Sequence, residues 1–179
     1  MQNDNICKFI PTRSIGTELT TINFVYERKN FFNDYAASHS YSINIAVDGN
    51  GILHTDRGDF KLRRGDLFFT FPQQPYYIEN ENNFEYIYIT FIGTRANALK
   101  ERLSLEPQIP VLDNHEYLID IWQNAIAIAS DQNIDLIAEG TLLYSFAYIC
   151  NVLHDGVHFL EFSLVSILKL QLQKWTSLN

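Results

Sequence analysis

Gly65-Asp66-Leu67-Phe68-Phe69-Thr70-Phe71, followed by Pro72-Gln73-Gln74-Pro75-Tyr76, reads as a turn feeding a short strand that a rigid connection closes. Gly65 supplies a backbone conformation that a residue with a Cβ resists. The Asp66 carboxylate can bond local amides across the turn. Leu67 to Phe71 is mostly apolar on both faces, so a strand here needs cover on both sides. Pro72 ends it, and Pro72 and Pro75 stiffen the link onward to Tyr76.

Upstream, the pattern is period two, which means half-buried strands. Ile22, Phe24 and Tyr26 alternate with Thr21 and Asn23. Tyr41, Ile43, Ile45 and Val47 alternate with Ser42, Asn44 and Ala46. Asp48-Gly49-Asn50-Gly51 then reads as a turn, with Ile52 to Thr55 returning. Asp56-Arg57-Gly58-Asp59 is a second turn before the short strand Phe60 to Leu62. Downstream, Tyr76 to Glu79 and Phe84 to Ile92 are expected as two strands separated by a polar turn, Asn80 to Asn83. Many short strands with frequent turns imply a sandwich or barrel.

Beyond Pro107 the pattern turns helical. Asp113 and Glu116 have the spacing of a capping box. Tyr117, Leu118, Ile121, Trp122, Ala125 and Ile128 follow on one predicted stripe. A second helix is expected from Asn133 or Asp135 to about Leu153, through Leu136, Gly140, Leu143, Ala147 and Cys150. Asp155-Gly156 is a stop signal. A short helix over Ala96 to Leu103 and an amphipathic one through Phe162, Val165, Leu168, Leu172 and Trp175 complete the reading.

The 179 residues carry 13 Lys plus Arg against 21 Asp plus Glu, a formal charge of -8. That length suits one domain that folds without disulfides or metal. The acidic balance argues against nucleic-acid binding by this chain, since phosphate neutralisation needs clustered cations. The one tight basic cluster, Arg57 to Arg64, also holds Asp59. The start, MQNDNICKFIP, has no signal-peptide core, and no apolar run reaches the ~18 residues of a membrane span. Cys7 and Cys150 suggest neither a disulfide framework nor a zinc site. The reading is a soluble, cytoplasmic protein with no membrane partner.

Gly49-Asn50-Gly51, then Gly65 to Phe69, then Pro72 to Tyr76 resembles the cupin β-barrel, a double-stranded β-helix. More narrowly, it is similar to the N-terminal regulatory domain of the AraC/XylS family of bacterial transcription regulators. In that family a strand ends in G-x-G, then come P-G-D with four or five apolar residues, then P-x-x-P-H. Here Arg64 replaces the first proline and Tyr76 the histidine. The Tyr-Ile-Tyr-Ile-Thr-Phe-Ile-Gly stretch ending at Gly93 is similar to the family's next strand. The resemblance covers Thr20 to His154. It implies a mainly β plus α fold: a cupin-like barrel with its N-terminal arm over 1–106, a helical dimerisation region over 107–155, and a tail over 156–179. Two or three C-terminal helices follow the barrel.

Phe84, Tyr86 and Tyr88 share a strand face, and an apolar core does not usually choose two tyrosines, because a buried hydroxyl needs a partner. If that face lines the barrel, the hydroxyls bond a polar ligand while the rings pack on its apolar parts; otherwise they face solvent or fill the barrel. The resemblance favours the first reading. The ligand-binding candidates are thus Tyr86, Tyr88, Tyr76, Ile78 and Asn44. The second helix is apolar nearly all round, so Leu142, Leu143, Phe146 and Ile149 are the dimerisation candidates.

Other chemistry finds little support. The five histidines, His39, His54, His115, His154 and His158, form no H-x-H pair of the catalytic cupin kind, and no metal or cofactor is expected. His154 to His158 loosely echoes H-E-x-x-H, but Gly156 interrupts the helix and Asp replaces Glu. Both Arg-Gly-Asp triplets fall in predicted turns. No nucleophile elbow or phosphate-binding glycine loop is present. The resemblance implies a domain that senses a small-molecule effector, forms a homodimer, and reaches DNA only through a C-terminal half absent from these residues. An effector would order the arm, Met1 to Arg13, or shift the helices. The competing reading is a small cupin enzyme: an isomerase, epimerase or metal-dependent dioxygenase.

Overall fold

A computed structural model describes residues 5–10, 18–28, 37–103 and 110–155. In chain order the elements are β1 (Ile6–Phe9), β2 (Thr20–Glu27), β3 (Tyr41–Thr55), β4 (Gly58–Arg63), β5 (Leu67–Thr70), β6 (Tyr76–Ile92), α1 (Thr94–Arg102), β7 (Val111–Leu112), α2 (Tyr117–Ile128) and α3 (Ile134–Asp155). The seven strands form one antiparallel sheet in the order β1-β2-β6-β3-β5-β7, with β4 paired to β3. This is a cupin-like architecture followed by three helices. The expected tail helix, 156–179, lies outside the described residues, as do residues 1–4 and 11–13 of the arm. Arm residues Ile6–Phe9 form an unforeseen strand along β2, with Ile6 opposite Tyr26 and Phe9 opposite Asn23. β7 lies beyond residue 106 and pairs with β5, so the sheet continues into the region expected to be helical.

Two expected turns are corrected. Asp48 to Gly51 and Asn80 to Asn83 are not hairpin loops; each is the bent middle of a long strand, and the two bends face each other. Asp48 opposes Glu85, Asn50 opposes Asn82 and Gly51 opposes Asn80, with register shifts between them. Each bend therefore supplies backbone partners to the other, and bulges absorb the extra residues. Gly49 sits at φ 71°, and a Cβ there would lie 2.2 Å from the Asn82 carbonyl oxygen.

Beyond the bend, the β3/β6 ribbon continues with β4 on its edge. Leu53, Leu62 and Ile78 from this far half form one buried cluster with Ala46, Phe68, Phe84 and Tyr86 of the larger half. The opposite face of the larger half carries Phe24, Ile43, Ile45, Leu67, Phe69, Ile87 and Ile89, which form a second core with α2 and α3. β5 contributes to both cores, as its two-faced apolar pattern requires, and its four residues are all buried.

α2 meets the sheet through most of its expected stripe, with Leu118 and Trp122 buried and Ile121 and Ala125 packed on the core, whereas α3 uses a different stripe from its expected one. In α2 the buried residues are Leu118, Ile119, Trp122 and Ile126, while Tyr117 and Ile128 are exposed. No side-chain hydrogen bond caps α2, so the capping box is also corrected. The helix start is instead anchored to the Gly65 turn, where the His115 amide donates to the Gly65 carbonyl at 2.7 Å. Gly65 has φ 89° and lies against Glu116, so the turn and the helix start are built as a pair. Asp66 accepts the Arg63 amide at 2.8 Å, the cross-turn bond its position suggested.

In α3, Ala138, Leu142, Ser145, Phe146 and Ile149 are buried, and Phe146 meets Phe91 edge-on at 5.9 Å. Leu142, Phe146 and Ile149, expected at a dimer interface, therefore serve the core of their own chain. Sequence showed an apolar surface but not which side the sheet would claim. Leu143 is half-buried, and Leu136, Tyr144 and Leu153 are exposed. By length and composition Ile134–Leu153 is sufficient to cross a membrane, a property the search for uninterrupted apolar runs did not detect.

His115 joins these layers. It is 4 % exposed, meets Tyr148 edge-on at 5.7 Å, and its Nδ1 has no hydrogen-bond partner among the described residues. Burial holds its pKa below the ordinary value, and Asp113 opposes this only in part. The unfolded chain takes up this proton near pH 6.5, whereas the folded chain resists it. The site's contribution is thus complete above that pH and lost as pH falls toward the depressed value. In urea melts at pH 7.5 and 5.5, His115→Gln will lose less stability on acidification than the wild type. An equal loss in both proteins would remove His115 from this account.

Candidate functional site

β6 positions most of the candidate site. Phe84, Tyr86 and Tyr88 stack successively along its inner face, with ring centroids 5.6 and 5.8 Å apart. Phe68 of β5 packs against Tyr86 at 5.5 Å. Register explains the grouping: Asn44 on β3 faces Tyr88 on one side and Phe68 on the other, and Ala46 faces Tyr86. Tyr86 is 7 % exposed, and Tyr88 is half-buried. Burial raises both phenol pKa values well above the ordinary range, and the charges of Glu27 and Tyr76 push the same way. Both hydroxyls therefore stay protonated at neutral pH, able to donate and accept hydrogen bonds.

A buried polar row runs beneath the rings. Asn44 Nδ2 donates to Ser42 Oγ and to the Phe68 carbonyl, each at 2.8 Å. Ser42 Oγ lies 2.7 Å from Thr70 Oγ1, and the Tyr76 hydroxyl faces Thr70. Beside Tyr76, Thr55, Phe69, Thr70, Phe71, Gln74, Pro75 and Pro110 line a small cleft of about 10 Å³, partly open to solvent, which Tyr86 and Tyr88 do not line.

The sequence candidates separate on this geometry. Tyr76, Tyr86 and Tyr88 come together. Asn44 lies with them, but both its amide hydrogens are engaged within the fold, so it supports the wall and does not donate to a ligand. Ile78 shares the inner face but is packed among Leu53, Leu62 and Phe84 at the filled end. Leu142, Phe146 and Ile149 lie in the other core, against the helices.

Glu27, Ser42 and Thr70 were missed. Glu27 stands directly opposite Tyr86 in the β2/β6 pairing. Asn5 holds its carboxylate by a side-chain hydrogen bond and also accepts the Arg28 amide at 2.7 Å. Burial raises the Glu27 pKa, and Asn5 opposes the rise. Asn23, Val25 and Glu27 share this face, but a bulge between Thr21 and Asn23 breaks the alternation that the sequence pattern follows.

Glu85, by contrast, points away from the site: the Tyr26 hydroxyl donates to it at 2.8 Å, and Arg28 lies at 3.9 Å. His54 also belongs elsewhere. It faces Asp59 at 2.8 Å and Glu79 at 2.9 Å, stacked on Tyr77. Among the described residues no group of three His, Cys, Asp or Glu side chains is placed to hold a metal ion.

Several solved structures are similar to parts of this chain. A predicted oxalate decarboxylase from Thermotoga maritima is 18% identical with a TM-score of 0.35, over 41% of this chain and 68% of its own. A cupin superfamily protein from Desulfitobacterium hafniense is 11% identical with a TM-score of 0.38, over 51% and 81%. A cupin 2 conserved barrel domain protein from Salinispora arenicola is 16% identical with a TM-score of 0.38, over 52% and 79%. No curated protein matches the chain. Residues 24–147 match the AraC-like ligand binding domain, a span that runs from the Phe24 core position through the tyrosine wall into α3, and the chain belongs to that family.

Proposed function

We propose that this chain is the effector-sensing and dimerisation domain of an AraC-type bacterial transcription regulator, working in the cytoplasm and performing no catalysis of its own. The observation that carries this reading is the inner face, where Tyr76, Tyr86 and Tyr88 meet above the Asn44–Ser42–Thr70 row within a ligand-binding domain family. A small molecule would be held by the phenol hydroxyls and packed against the rings. DNA contact is assigned to a separate domain of the regulator, in keeping with this chain's formal charge of -8. Dimerisation falls to the surface that α2 and α3 leave open, with Tyr117, Leu136, Tyr144 and Leu153 exposed on it. Sedimentation at micromolar concentration will show a dimer, and a clean monomer would refute that part.

Signal transmission has a covalently short route. Phe68 packs on Tyr86, and its neighbour Leu67 pairs with Leu112, which lies shortly before His115 and the start of α2 at Tyr117. The Asn5–Glu27 contact links the arm to the same site. An effector transmits a signal only if its binding energy differs between two arm or helix arrangements.

A thermal-shift screen against small metabolites tests the reading. A true effector at 100 times its dissociation constant stabilises the fold by about 2.7 kcal/mol, or roughly 5–10 °C for a domain of this size. The shift will largely vanish in Tyr88→Ala. A shift that survives that substitution would place the ligand elsewhere.

A further inference from the structure

The chemistry lining the barrel narrows the ligand class, an inference that rests on the inner face being the ligand site. The carboxylate of Glu27 stands opposite Tyr86, and directly paired residues on one sheet face have Cβ atoms about 5 Å apart. Tyr88, on the same face, is its diagonal neighbour. The nearby described cations point elsewhere. Arg28 stacks on the Tyr26 ring at 4.0 Å and pairs with Glu85. Lys8 alternates with Cys7 along β1, and Lys61 and Arg63 flank the buried Leu62 as exposed residues. Among the described residues, then, Glu27 is the carboxylate that acts on Tyr86 and Tyr88, beside three phenols and the neutral Asn44–Ser42–Thr70 row, and no described lysine or arginine is placed to balance it.

Such a wall disfavours anions. A carboxylate or phosphate brought beside Glu27 would meet like charge in a partly desolvated place. An ammonium group would find the reverse: an ionic partner in Glu27, an acceptor oxygen on Tyr88, and aromatic rings whose electron-rich faces attract cations. The geometry points to an organic amine, a cationic nitrogen on an apolar or aromatic body, as the ligand class, with Glu27 as the residue that selects the charge. Asn5 contacts that carboxylate from the β1 side of β2.

Benzylamine, benzyl alcohol and benzoate share one ring and differ in head-group charge, so ligand-observed NMR titrations of the full chain at pH 7.5 separate the possibilities. Benzylamine should bind roughly tenfold more tightly than benzyl alcohol, as expected for a charge-assisted hydrogen bond, with benzoate weakest. Glu27→Gln should reduce the amine-to-alcohol ratio to about threefold or less while leaving the melting temperature near that of the wild type. Lowering the pH toward Glu27 protonation should erode the same preference in the unmodified protein. Benzoate or benzyl alcohol binding as tightly as benzylamine would overturn the inference, as would a preference that survives Glu27→Gln or no benzylamine binding at about 10 mM. The barrel-site reading fails separately, if Tyr88→Ala leaves binding of every responsive probe or screen hit unchanged.

Discussion

Replacing Trp122 by alanine will cost about 3–5 kcal/mol of folding stability, the range for large aromatic truncations in a packed core. Trp122 is fully buried and joins three elements. Its ring meets Phe24 of β2 edge-on at 6.0 Å, and its indole N–H donates to Ser145 Oγ of α3 at 2.9 Å. Ser145 in turn donates to the Thr141 carbonyl at 2.7 Å, which fixes the hydroxyl as an acceptor for the indole. Truncation therefore opens a void between the sheet and two helices and removes the polar link between them. Native domains hold only about 5–15 kcal/mol in total, so urea melts followed by circular dichroism will show a much earlier midpoint. Trp122→Phe keeps most of the packing and loses the hydrogen bond, so it should cost about 1–2 kcal/mol. A loss below about 1 kcal/mol for alanine would mean that α2 does not pack as described.

Asn44→Asp will be the most damaging isosteric change at the site, costing about 3 kcal/mol or more at neutral pH. The present amide is 3 % exposed and donates to both Ser42 and the Phe68 carbonyl. A carboxylate there cannot donate and would turn negative oxygen toward the Phe68 carbonyl. Burial raises the new carboxyl's folded pKa above its unfolded value of about 3.9. The sign follows: the variant approaches wild-type stability below that unfolded value, where the acid is protonated in both states and can donate. It loses stability as pH rises through the folded value. Melts from pH 3.5 to 8 should therefore show the gap from wild type widening upward. A gap that stays constant, or is absent at neutral pH, would mean that Asn44 meets solvent and not a buried network.

Much of this fold was legible in the sequence because strand alternation is local physics. Ile43, Ile45 and Val47 on one face of β3, and Ser42, Asn44 and Ala46 on the other, follow from pleating alone. That Phe84, Tyr86 and Tyr88 share one face was legible for the same reason, but that this face is the inner one was decided by the packing of the sheet. The two false turns show where that logic stops. Asp48-Gly49-Asn50-Gly51 and Asn80 to Asn83 carry real turn chemistry, but each meets the other across the sheet. A long-range pairing supplied what a local hairpin would otherwise have provided. Helix faces were less legible still. α3 is apolar on several sides, and only the position of the sheet selected Leu142, Phe146 and Ile149 for its own core. Glu27 escaped notice because a charged residue at the end of a strand reads as solvent-facing until its cross-strand neighbours are known.

By itself, the sequence determined β2, β4, β5 and the alternating stretches of β3 and β6, the Gly65 turn, the long helices α2 and α3 and the family likeness, all of which rest on short-range pattern and backbone preference. Tertiary structure decided how β3 and β6 bend together, which helix stripe is buried, and that Glu27 meets the tyrosine wall. Those outcomes depend on contacts between residues far apart in the chain, whose closeness is set by register and layer packing rather than by any local propensity.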